Sequence, residues 1–140
     1  MVGSSAKTPR YVLRDGAHPI SPVVVQASVE GEVTAIFGFS GKPAYDVFLK
    51  AQSETLTPFP LVRLYLQNQI DLDGDSLRLV VLDATSPQQE LLQAATSQAV
   101  LESFRTSADS VLISHQLIRE GDSPGYRVEA LQDHALGLSR

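Results

Sequence analysis

The feature that most constrains this chain is a repeat of two, in which apolar residues return at every second position through one segment after another. Val23, Val25, Ala27 and Val29 would share one face of a strand, and Val33, Ala35, Phe37 and Phe39 a face of the next. Glu30, Gly31 and Glu32 between them supply a glycine for a positive φ, so the two segments read as a hairpin. Residues 10–15 alternate in the same way. After the Thr57-Pro58-Phe59-Pro60 break, Val62, Leu64, Leu66 and Ile70 alternate with Arg63, Tyr65, Gln67 and Gln69. That pattern predicts a strand with one wet face. Leu77 to Ala84 is apolar on both faces apart from Arg78 and Asp83, which predicts a central strand. Ser110 to Glu120 and Tyr126 to Gln132 complete the set as a hairpin around residues 121–125.

Two segments break the rhythm. Ala44, Val47, Phe48 and Ala51 fall at helical spacing behind Pro43, a residue suited to a first helical turn. Asp46 and Lys50 stand four apart on the far side, as an acid-to-base pair. Further on, Ser86, Pro87 and Gln89 carry the marks of a capping box, which predicts a helix running to about Arg105. Ala94, Ala95 and Ala99 would let that helix lie close to a sheet. The expectation is an α+β fold of two layers, in the order β-ββ-α-ββ-α-ββ. Six or seven mostly antiparallel strands would have two helices on one face. Residues 10–132 form the expected domain, between a loose tail at 1–9 and another at 133–140.

Composition excludes several classes of function. The 140 residues include no cysteine, so disulfides and thiolate metal sites are out, and the reading leans towards a cytoplasmic setting. The net charge is −5, with 11 basic against 16 acidic residues and no basic cluster. Such a field repels nucleic acid and anionic lipid, and neither is an expected partner. No apolar run is long enough for a membrane helix, and Met1 to Arg10 lacks the apolar stretch of a signal peptide.

The motifs that could carry chemistry are short and incomplete. Asp71, Asp73 and Asp75 alternate around Gly74 and could hold a hard cation such as calcium. The glycine is fourth rather than sixth, however, and the twelfth residue is Leu82, so a turn explains the same residues. Ser40, Gly41 and Lys42 join a strand to a helix start, where free backbone donors and a lysine could meet an anion. A phosphate loop would need glycine at Ile36 and a hydroxyl at Pro43, and both are missing. His115 shares its strand face with Val111, Ile113 and Leu117 and reads as a hydrogen-bonded core residue, while His18 and His134 fall in a loop and near the end. Asp83, before the second helix, reads as a cap or a loop ligand. Arg63, Tyr65 and Gln67, with Tyr45 nearby, offer a polar-aromatic surface of the kind enriched at protein interfaces.

These readings converge on a small non-catalytic interaction or adaptor domain that needs no cofactor. It would bind a protein partner, or itself as a homo-oligomer, through a sheet edge or an uncovered sheet face rich in Gln, Tyr and Arg, with Gln116 among them. The alternatives are a subunit of a secretion apparatus or virion, and a small enzyme whose pocket gathers Asp83, His115 and Arg63.

Overall fold

The computed structural model describes residues 5–16, 18–27, 32–52, 55–73, 77–121 and 125–131. Strands dominate, at 44% of the described residues, and helices are few. In chain order the elements are β1 (Ser5–Lys7), β2 (Tyr11–Asp15), β3 (His18–Pro19), β4 (Val24–Ala27) and β5 (Val33–Phe39). Next come α1 (Lys42–Lys50), β6 (Thr57–Pro60), α2 (Arg63–Asp73), β7 (Leu77–Leu82) and β8 (Leu91–Thr96). The chain continues through α3 (Ser97–Arg105), β9 (Ser110–Leu112), β10 (His115–Arg119) and β11 (Tyr126–Ala130).

The expected two-layer sheet with two helices on one face is not what forms. One mixed sheet runs β3-β2-β5-β7-β8-β10-β11-β4, with β6 paired to β2, and it curls into a half-barrel; β1 and β9 make a separate small sheet. Two pairings are parallel, β5 with β7 and β4 with β11. Each face of the curl carries a buried cluster. Inside, Leu13 from one end of the sheet and Val128 from the other meet in one cluster with Phe37, Phe39, Tyr126 and Phe48 of α1. A cluster that draws in both ends must lie on the concave side. Outside, Val80 and Ala95 pack against Leu66 of α2 and Val100 and Leu101 of α3. Register keeps the two faces apart, since Ala35 opposes Leu79 and Phe37 opposes Val81 inside, while Ile36 opposes Val80 outside.

Each departure has a local cause. The expected hairpin of residues 23–39 yields two strands that do not pair with each other among the described residues: β4 goes to the far edge of the sheet and β5 to its interior. A connection of several residues does not dictate pairing as a two-residue turn does. β5 carries apolar side chains on both faces, which suits an interior strand. The predicted strand at 62–70 is the helix α2. Val62 and Leu64 of its "dry" face are 49% and 70% exposed, whereas Leu66 is buried with Tyr65 and Ile70 beside it. That is helical spacing, in a segment rich in good helix formers, and the alternation of leucines is incidental.

The helix foreseen from Ser86 to Arg105 is a strand followed by a shorter helix. The reciprocal Ser86–Gln89 bonds of a capping box do not form; instead Gln89 Oε1 accepts from the Thr85 N–H at 2.8 Å, and Ser86 Oγ accepts from the Gln88 N–H at 3.0 Å. These bonds close an isolated turn, and the chain then enters β8. Ala94 and Ala95 are fully buried there, one under each face of the sheet, where the fit of a small residue overrides its helix propensity. The helix start is Thr96, whose hydroxyl accepts from the Ala99 N–H at 3.0 Å. The turn expected at Asp71 is the last turn of α2. The strand expected at 110–120 breaks at Ile113–Ser114, leaving β9 to pair with β1 at Ser5–Lys7, within the leader expected to be loose.

Other expectations hold. α1 begins at Lys42 with Pro43 in its first turn, β7 is central, and β10 and β11 form an antiparallel hairpin. The buried face of α1 is Ala44, Tyr45, Phe48 and Leu49 rather than the stripe through Val47 and Ala51. Asp46 pairs with Lys42, not Lys50.

Candidate functional site

β5 and β7 end side by side, and the chain leaves them for α1 and for the turn into β8. Gly38 leaves room for the Val80 side chain of the neighbouring strand: a Cβ there would sit 2.5 Å from Val80 Cγ1. Asp83, the residue after β7, takes φ 50, a left-handed backbone that aspartate tolerates better than most residues. Its N–H donates to the Gly38 carbonyl at 3.0 Å. Its carboxylate accepts from the Ser40 N–H at 2.7 Å and the Ser40 hydroxyl at 2.8 Å. The donors foreseen at Ser40 thus meet an anion, and that anion is the protein's own. Gly41 is the N-cap in extended conformation, and Lys42 turns to Asp46, whose hydrogen bond and charge raise its pKa. Asp83 is a loop ligand, as its position suggested.

Beside this junction the curled sheet has an open mouth. A cleft of about 1000 Å³ lies between the β2–β3 turn, the end of α1 and the turn at Pro87–Gln88. Phe37, Phe48 and Leu56 form its floor and Ile20 and Pro19 part of its wall; Asp15, His18, Lys50 and Gln52 stand on its rim. Asp15 and His18 face each other in the β2–β3 register. The Pro87–Gln88 side is anchored from the sheet, where the Tyr126 hydroxyl donates to the Gln89 carbonyl at 2.6 Å. Arg119 Nη1 donates to the Gln88 carbonyl at 3.0 Å. Burial raises the Tyr126 phenol above its ordinary pKa. The sequence offered no signal for this cleft, because its walls come from four separate stretches of chain.

The residues expected to form a partner patch do not all share a face. On α2 Arg63 and Gln67, four apart, lie on one side, and Tyr65 between them points nearly the opposite way. Arg63 is exposed, and Gln67 accepts from Arg105 Nη2 at 3.1 Å. Tyr65 packs in the outer cluster, where burial raises its pKa while Arg78 and Arg14 pull it the other way. Tyr45 lies across the sheet, edge-on to Tyr11 with ring centroids 5.5 Å apart. Asp71 and Asp73 belong to the last turn of α2, and Asp75 lies outside the described residues. Among the described residues no three acidic, histidine or cysteine side chains gather as a metal site would require.

His115 is buried, with its Nδ1 2.8 Å from Ser114 Oγ and Ala94 and Ala130 opposite it in the sheet. Asp83 points instead towards Ser40, and Arg63 stands at the start of α2. The three residues of the hidden-enzyme reading therefore do not share a pocket. His18 is on the cleft rim, and His134 lies outside the described residues.

A second exposed feature is the outer face of β8, β10, β11 and β4, beyond the reach of α2 and α3. Leu91 and Val25 are 47% and 55% exposed there. Between them Gln93 opposes Gln116, and Gln116 opposes Glu129. Arg127 bridges Glu129 and Glu120, at 2.9 Å to each. Gln116 was expected on such a face, whereas Gln67 is on a helix. Among the described residues no helix is long and apolar enough to cross a membrane.

No known protein family matches the chain, and no curated protein or solved structure is significantly similar to it.

Proposed function

We propose that the protein is a non-catalytic interaction module whose partner is a second copy of itself, docked through the outer face of β8, β10, β11 and β4. The observation that carries this reading is the make-up of that face. Two exposed aliphatic side chains, Leu91 and Val25, flank a centre of paired amides and an arginine already held between two carboxylates. Charges matched within one copy cost less to cover than free ones, and amides can rebond across a contact. A face carrying both signs is also self-complementary about a two-fold axis, the commonest symmetry of homo-oligomers.

Sedimentation velocity over a wide concentration range tests the reading. The expected result is a reversible dimer that Leu91→Lys and Val25→Lys each weaken while leaving the thermal midpoint nearly unchanged. A monomer at every concentration would overturn it, as would a dimer indifferent to both substitutions.

A further inference from the structure

The mouth cleft faces the inside of the curl, so a contact on the outer face leaves it open, and it calls for its own ligand. We infer that it binds a small zwitterion with an apolar body, the chemistry of a free amino acid with a large side chain.

Size comes first. At about 1000 Å³ the cleft is at the upper end of the range for small-molecule sites, and mouths of curled sheets are a common place for them. Its walls are preformed, because α1 is fixed by Phe48 between Phe37 and Phe39, at centroid distances of 5.1 and 5.3 Å. The opposite turn is held by Tyr126 and Arg119. Pro19, Ile20 and Pro87, part-exposed on its walls above the buried rings of Phe37 and Phe48, offer aliphatic surface to an apolar group.

The rim then selects the charge. Asp15, from β2, and Lys50, from the last turn of α1, are both exposed and line the same cleft. Neither is in an ion pair among the described residues, although Lys42 and Asp46 on the same helix have closed on each other. A ligand with one charge would satisfy one of these groups and crowd the other with its like. A ligand with an ammonium and a carboxylate can meet both, Asp15 taking the cation and Lys50 the anion, while the neutral rim groups Ser21, Gln52 and Gln88 supply further hydrogen bonds.

The test compares L-phenylalanine with phenylpropionate, phenethylamine and glycine, by calorimetry and by amide chemical-shift changes. Phenylalanine should bind more tightly than the other three, with shifts centred on Ile20, Phe37 and Phe48. Asp15→Asn should weaken phenylalanine about two- to fivefold while sparing phenylpropionate, and Lys50→Gln should do so while sparing phenethylamine, the usual worth of an exposed ion pair. Both positions are exposed, so an unchanged thermal midpoint verifies the fold. Equal binding of the singly charged compounds would overturn the inference. So would failure of phenylalanine to bind, or shifts located elsewhere. None of these outcomes bears on the dimer, which is read by sedimentation alone.

Discussion

The two sides of the curled sheet are built differently. On the inside Phe37, Phe39, Phe48 and Tyr126 are all buried, and a single helix covers them. On the outside the buried residues are aliphatic or small, Val80, Ala95, Val100 and Leu66 among them, and two helices lie across them. Tyr65 and Phe104 are only half-buried there. The contrast follows from curvature. A concave face encloses a volume that large side chains must fill, and where they stop a cleft remains. A convex face splays its side chains, so small residues let helices approach, and where the helices stop the sheet is left bare. Both candidate sites of this molecule are the places where one kind of filling runs out.

Stability measurements can break that comparison. Truncating the inner keystone, Phe48→Ala, should cost about 3–5 kcal/mol in chemical denaturation, because it empties the centre of the aromatic group. The outer equivalent, Leu66→Ala, should cost less, about 2–3 kcal/mol, since a helix on a convex face can settle inwards. If the outer change costs more, the contrast in packing is not real.

Asp83→Ala is the next largest expectation, a loss of about 2–3 kcal/mol. It removes two charge-assisted hydrogen bonds to Ser40 and leaves alanine in a left-handed backbone. Asp83→Asn, which tolerates that backbone and can still accept a bond, should recover much of it in the same measurement.

The smallest effect sharpens the boundary between β8 and α3. Thr96→Ala should cost about 1 kcal/mol as the loss of a true N-cap. Ser86→Ala, which disturbs only an exposed turn, should stay within about 0.5 kcal/mol. A reversal in thermal or denaturant melts would place the helix start back at Ser86.

The residues read correctly from sequence share one property: their partners are close along the chain or their pattern admits one period only. Pro43 with Ala44 and Phe48 specifies a helix by itself, and the run from Leu77 to Leu82 is too apolar to sit anywhere but mid-sheet. The β10–β11 hairpin has its turn residues in place, with Gly121 at φ 56. Segments with two admissible periods were settled by tertiary contacts. Leu64 and Leu66 alternate as a strand would, yet only Leu66 meets Val80. Ala94 and Ala95 favour a helix, yet each fits beneath a covered face of the sheet. Of the candidate sites, Gln116 could be placed on an open sheet face from its alternation. Asp15, His18 and Lys50 could not be joined.

What the amino-acid order determined alone is the start of α1 at Pro43, the apolar run of β7, the β10–β11 hairpin and, for want of cysteine, the absence of disulfides. Curling, the parallel pairings of β5 with β7 and β4 with β11, and the mouth they enclose came from elsewhere. Local propensities are worth tenths of a kcal/mol per residue, whereas burying Phe48 or Tyr126 is worth several times more, so the choice of partner strand lay with long-range packing.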